Sequence, residues 1–228
     1  MNNLFKISFF GLLLFIAFVG CKKNDTFEVD FQFEYYDLTP GRFIVYDVVE
    51  ISHSTGASGS DTSSYQLKTL IGDTVIDNAG RIARKYLRYK RATSADIWQL
   101  KDVWTTIIAD YRAELVEENR RVVKMVFAPT KEKKWDANVN NTQGELACTY
   151  DAIEESYSVN NQNYEGSLIV EQADELNLVQ FKRKYEVYSK GIGMIKKHYQ
   201  DLTINNFDVT NISTGKELFM NIVSFGIE

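Results

Sequence analysis

Few residues in this chain have side chains suited to bond-making chemistry. There are two cysteines, Cys21 and Cys148, and two histidines, His53 and His198. The histidines stand far apart, without a second metal-ligand type at ligand spacing and without a His-Asp-Ser order, so a zinc centre or a nucleophilic triad lacks its parts. His198 follows Lys196 and Lys197 on an extended run and reads as a surface residue; His53 opens a stretch rich in Ser, Gly and Thr. A reactive Cys148 would need a base or an electropositive setting to lower its thiol pKa. Its position on an alternating apolar face predicts a buried, inert thiol instead. Gly191-Ile192-Gly193 lacks the third glycine and the strand–helix context of a dinucleotide site, and reads as a tight turn. Carboxylates are plentiful, but a glycosidase-like pair would have to come from different strands. These residues predict no catalytic centre, no cofactor and no metal.

Cys21 has a different setting. Lys6 precedes an apolar run from Ile7 to Val19, which ends in Phe18-Val19-Gly20-Cys21. That run is too short to cross a bilayer, which takes about 20 residues as a helix. A cation, a short apolar core and small residues before a cysteine describe a secretory signal segment. Its ending resembles the bacterial lipobox, which implies cleavage after Gly20 and a lipid-modified Cys21. The expected organisation is a signal peptide over 1–20, a lipidated tether over 21–26 and one β-rich domain over 27–228. Several acyl chains on one cysteine exceed the two hydrophobic signals that stable anchoring requires.

The formal charge is −5, and 26 basic residues less Lys6 against 31 acidic ones leave −6 after cleavage. Nucleic-acid affinity rests on excess Lys and Arg, so no nucleic-acid partner is expected. With Cys21 lipidated, Cys148 has no disulfide partner within the chain. Thirteen tyrosines, fourteen phenylalanines and two prolines favour extended, aromatic-rich structure.

Strict alternation from Phe27 to Tyr35 predicts a first strand. Thr39-Pro40-Gly41 is a turn, and Arg42 to Ile51, apolar on both faces, is a central strand. His53 to Ser64 reads as a mobile loop. Tyr65 to Ile71 and Arg81 to Arg91 are strands around an Asp77–Gly80 turn. Thr93 to Lys101 suggests a short helix capped by Ser94. Trp104 to Leu115 and Arg120 to Ala128 form a hairpin about Glu117-Glu118-Asn119. Glu145 to Ile153 places Leu146, Cys148, Tyr150 and Ala152 on one face, followed by a polar loop from Glu154 to Gly166. Ser167 to Glu171, Gln180 to Ser189, Met194 to Leu202, Phe207 to Ile212 and Glu217 to Phe225 are further strands, with a short helix over Asp174 to Val179. About ten strands at hairpin spacing predict an all-β, mainly antiparallel fold: a strongly curved sheet or half-open barrel with at most one or two short helices.

Three stretches carry a family resemblance. They are Tyr36-Asp37-Leu38-Thr39-Pro40-Gly41-Arg42-Phe43 with Tyr46, Asn119 to Pro129 followed by Lys134-Trp135-Asp136-Ala137-Asn138, and Glu186 to Ile195 with its Tyr-x-Lys-Gly-x-Gly element. Together they resemble a group of uncharacterised Bacteroidetes lipoproteins in which a strand ends at Phe-Pro and a loop carries a Trp-Asp-Gly-Asn-like element. Here Ala128 is inserted between Phe127 and Pro129, and Ala137 replaces the Gly. The last element is also similar to TapB-type proteins and, more distantly, to Lol-type half-barrel carriers. The resemblance implies a curved sheet at the outer membrane and no catalytic residue.

The basic run Arg81, Arg84, Lys85, Arg88, Lys90 and Arg91 reads as a solvated sheet face and guarded edge rather than a lipid-phosphate site. Asp73-Thr74-Val75 resembles the Asp-Thr-aliphatic site that Bacteroidetes O-glycosylate, which makes Thr74 a glycosylation candidate. The expected role is non-enzymatic: a lipid-anchored envelope protein whose sheet holds a hydrophobic or amphipathic ligand. The alternatives are a docking subunit of an outer-membrane protein complex and, last, a hydrolase. Lys22 stands where Asp would retain an enteric lipoprotein at the inner membrane, and Lys22-Lys23-Asn24-Asp25 has one acid. The expected location is therefore the periplasmic face of the outer membrane, with the cell surface as the alternative.

Overall fold

The computed structural model describes residues 28–55 and 59–228, so the signal segment, Cys21 and the tether lie outside the described residues. The described chain holds twelve strands: β1 (Arg42–His53), β2 (Ser60–Ile76), β3 (Ile82–Arg91), β4 (Gln99–Ala109), β5 (Arg112–Glu117), β6 (Arg120–Val126), β7 (Lys134–Asp136), β8 (Ala147–Val159), β9 (Gln162–Leu176), β10 (Gln180–Ser189), β11 (Gly193–Asn205) and β12 (Asp208–Ile227). All pair antiparallel in one sheet of order β6-β5-β4-β3-β2-β1-β12-β11-β10-β9-β8-β7. The first and last strands meet in the middle, Arg42 opposite Ile227 and His53 opposite Gly215. Among the described residues the fold is thus all-β, a nearly closed barrel-like sheet, with one 3-10 turn at Phe33–Tyr36 as its helical element.

The two edge strands are joined by a short link and tied across it. Val123 N donates to Ala137 O at 2.9 Å, Trp135 Nε1 donates to Val123 O at 3.0 Å, and Asn141 Nδ2 donates to Arg121 O at 2.9 Å. The Tyr150 hydroxyl accepts from Val126 N at 3.0 Å and donates to Val126 O at 3.1 Å. The Trp-Asp-Ala-Asn stretch singled out in the sequence is this seam. Asp136 Oδ1 accepts from Asn138 N and Leu146 N, and Ala137 is buried. Beneath it pack Tyr35, Met125, Phe127, Cys148, Tyr150 and Leu168.

Several element expectations are corrected. Of the expected Phe27–Tyr35 strand, the described part from Glu28 on is not a strand: Gln32 takes φ 58°, and the 3-10 turn that follows buries the consecutive Tyr35 and Tyr36, which alternation cannot do. Of the expected His53–Ser64 loop, His53 and Ser60 to Ser64 are ladder, with His53 opposite Ser60 and Ile51 opposite Thr62, because cross-strand pairing satisfies the backbone of polar residues as well as apolar ones. The Thr93–Lys101 helix is absent; Asp96 Oδ2 accepts from Thr93 N and Oγ1 and closes a tight turn before β4. Trp104–Leu115 divides into β4 and β5 because Asp110 and Tyr111 both take positive φ, a two-residue hairpin turn of the type that matches strand twist. Asn160 and Asn161 make another such turn, so the expected Glu154–Gly166 loop is the body of the β8–β9 hairpin.

Asp174–Val179 is not helical either. It finishes β9 in a turn held by Asn177 Oδ1, which accepts from Val179 N and Gln180 N. Asp208–Ile212 and Glu217–Phe225 belong to one strand, β12, which passes through Gly215 at φ 141°, while Phe207 lies in the turn before it. A Cβ there would lie 2.3 Å from Asp201 O, so only glycine lets β12 run against β11 at that point.

Candidate functional site

The inward faces of β1, β2, β3, β10, β11 and β12 supply Ile44, Tyr46, Leu67, Thr69, Tyr86, Glu186, Tyr188, Lys197 and Met220 to a cavity of about 210 Å³. Strand alternation puts these residues on one face: Glu186 stands opposite Lys197, and Lys197 opposite Met220. Trp104 of β4 adds an aromatic wall, stacked with its cross-strand neighbour Tyr86 at 6.4 Å. Near the 3-10 turn, Asp37 is bonded to Arg42 at 2.7 Å.

One wall of this cavity is charged. Glu186 is 1% exposed, and its Oε1 accepts from Lys124 at 2.7 Å and from Lys197 at 3.0 Å. Its Oε2 accepts from the Tyr188 hydroxyl at 2.7 Å. Burial by itself would push the Glu186 carboxyl up, but the two ammoniums and these bonds outweigh it and hold the group well below the usual carboxylate range. Burial would likewise push Lys124 down, and the facing carboxylate raises it instead. Both partners are therefore ionised at neutral pH. Two of the cavity's tyrosine hydroxyls are engaged: Tyr36 bonds Thr106 at 2.9 Å, and Tyr46 donates to Met194 O at 2.7 Å.

No sequence motif pointed to this trio. Its signal lay in position: Lys124 interrupts Val123 and Met125, and Glu186 stands among Tyr185, Val187 and Tyr188, each a charge inside an apolar run of a strand.

The residues singled out earlier fall elsewhere. Cys148 is 2% exposed beneath the seam, and burial pushes its thiol up to about 12, so it is no ready nucleophile. Thr74 is exposed on β2. Gly191-Ile192-Gly193 is the tight turn between β10 and β11, as expected. The basic strand β3 is not an edge but lies between β2 and β4. Its cations are mostly paired: Arg88 bonds Asp102 at 3.0 Å and sits 4.0 Å above Trp104, Lys90 caps Tyr65 and Arg91 covers Trp98. Asp77 and Glu114 are brought together but held by Arg81 and Arg121. Both carboxylates are thus engaged by guanidinium groups.

The histidines are corrected. His198 is not a plain surface residue: it stacks on Tyr185 at 4.9 Å and meets Phe219 edge-on, and this burial holds its pKa below the ordinary value. His53 ends β1 rather than opening a loop. Its Nδ1 lies 2.8 Å from Ser60 Oγ and its Nε2 2.7 Å from Glu217 Oε1. Glu217 Oε2 accepts from Gln200 Nε2 at 2.5 Å, and Gln200 Oε1 lies 2.7 Å from His198 Nε2. Serine, histidine and carboxylate in contact are the parts of a nucleophilic relay, and sequence order hid them because Glu217 is contributed by β12. Ser60 does not line the cavity above, and the chain of bonds ties β2, β1, β12 and β11 together.

Fold and cavity define a class: a nearly closed, barrel-like antiparallel sheet with an aromatic cavity that has a charged wall. No protein-family model, curated protein or solved structure matches the chain.

Proposed function

We propose that this chain is a non-enzymatic, lipid-anchored envelope protein that holds a small hydrophobic or amphipathic ligand inside its barrel. The observation that carries this reading is the cavity itself, apolar on most sides and enclosed by the sheet. Binding sites of this kind are concave and mostly apolar with a few convergent polar groups. A neutral fluorescent hydrophobe such as N-phenylnaphthylamine is expected to bind the chain saturably at one site. Leu218 also lines the cavity, and Leu218→Trp, which projects bulk into it, is expected to abolish that binding while the thermal unfolding midpoint stays within a few degrees. Equal binding by both proteins counts against the chamber as the site.

The anchoring half of the proposal rests on the lipobox-like Phe18-Val19-Gly20-Cys21 and on Lys22, and assigns the protein to the periplasmic face of the outer membrane. Cys21→Ala is expected to leave the precursor uncleaved and to end incorporation of labelled palmitate. Undiminished labelling of that variant removes the assignment.

A second reading, a docking subunit of an outer-membrane complex, is favoured by one surface feature. The β9–β10 and β11–β12 tips are bonded together through Ile204 N to Val179 O at 2.9 Å, and they expose Leu178, Val179 and Phe207 side by side. Contiguous apolar exposure marks interaction surfaces. In that reading the barrel interior is only a core, and the hydrophobe shows no saturable site.

A further inference from the structure

The cavity's hydrogen-bonding capacity is lopsided. An ammonium offers three donors and no acceptor, and Lys124 and Lys197 each spend one on Glu186. Glu186 is nearly saturated, taking both lysines and Tyr188. The hydroxyls of Tyr36 and Tyr46 are committed to Thr106 and to the Met194 carbonyl. What remains on this wall is donor capacity, two N–H groups on each lysine, both side chains mostly buried at 11% and 26% exposure. The cavity lining as a whole carries four basic and three acidic side chains. Asp37 and Arg42 close on each other. Glu117 lines the same space and attracts Lys124, but forms no hydrogen bond with either lysine, so it offsets charge without occupying donors.

We infer that the ligand's polar end is an oxyanion, a carboxylate or phosphate head seated on Lys124 and Lys197, with a short apolar body lying against Tyr46, Tyr86, Trp104 and Met220. This rests on the chamber being the binding site. A charged acceptor on an ammonium makes the short, strong class of hydrogen bond, and the surrounding aromatic walls keep water from weakening it. A neutral hydroxyl leaves part of that donor capacity unmatched, and a cationic head meets two like charges at hydrogen-bond range. Size limits the body: a cavity of about 150 Å³ accommodates benzene, so 210 Å³ suits a chain of medium length rather than a whole phospholipid.

The test uses the full chain in lipid nanodiscs, with empty discs as blank, and measures displacement of the bound hydrophobe by octanoate, 1-octanol, octylammonium and acetate. Octanoate is expected to bind about tenfold or more tighter than octanol, as charge-assisted bonds imply. Octylammonium is expected to bind more weakly than octanol, and acetate to compete hardly at all. Lys197→Met, at the more exposed of the two lysines, is expected to erase the octanoate preference, bringing octanoate to the level of octanol. Equal affinity for octanoate and octanol overturns the inference and leaves the chamber as a plain hydrophobe site. Acetate competing as well as octanoate overturns it in favour of an anion site without an apolar body. Failure of all four ligands to displace the hydrophobe removes both this inference and the reading beneath it.

Discussion

Glu186→Gln is expected to destabilise the protein by about 3–5 kcal/mol, because removing one member of a buried ion cluster leaves the others charged and unpaired. Here two ammoniums, those of Lys124 and Lys197, lose their common acceptor, and Tyr188 loses its charged partner. The same principle predicts the rescue. A triple variant, Glu186→Met with Lys124→Met and Lys197→Met, is expected to recover most of the loss, since apolar replacement of a whole buried ion group is often neutral. Urea unfolding of the three proteins measures both effects. A single-variant loss under about 1 kcal/mol, the scale of an exposed pair, refutes the claim that Glu186 is the buried anchor of this cluster.

The pH dependence follows with a definite sign. Glu186 is held below the usual carboxylate range, so its contribution is complete above the unfolded value of about 4.3 and is lost as pH falls through the lower folded value. Lys124 is raised, so its contribution is complete below about 10.4 and is lost as pH climbs through the higher folded value. Unfolding of Glu186→Gln is expected to show a flatter acid limb than the parent.

Strand identity was readable wherever one face was dry and the other wet. Cys148, Tyr150 and Ala152 alternate with exposed or half-exposed neighbours as their spacing predicted. What misled was the assumption that polar stretches are loops: Glu154 to Gly166 and much of His53 to Ser64 lie in ladders whose hydrogen bonds do not depend on side-chain polarity. Two-residue turns without glycine were equally hard to see, because Asp110-Tyr111 and Asn206-Phe207 put aromatic residues at positive φ. The pairing of β1 with β12 and the partners of Glu186 are long-range facts. Single charges in apolar strands marked the positions of Lys124 and Glu186, but only closure of the sheet shows that Lys124 of β6 and Lys197 of β11 meet on one carboxylate.

That closure depends on a seam held by few groups, and Tyr150 is the one whose loss is expected to matter most. It is fully buried, packs its ring 4.7 Å from Trp135, and bridges both backbone groups of Val126 through one hydroxyl. Tyr150→Phe keeps the packing and removes the bridge, which leaves a backbone N–H and C=O of β6 without their partner and costs about 1–3 kcal/mol. Tyr150→Ala also empties the space of a large core ring, for a loss of about 3–5 kcal/mol. The consequence extends past stability, since a β6 released from the seam is an unpaired edge, the form in which sheets associate with further strands. Tyr150→Ala is therefore expected to self-associate at concentrations where the parent is unchanged. In Tyr150→Phe, amide exchange at Val126 is expected to quicken, while Val123, still donating to Ala137 O, changes less. Unaltered exchange at Val126 in Tyr150→Phe shows that the bridge does not hold the edge, and that closure of the barrel rests on the Val123, Trp135 and Asn141 bonds alone.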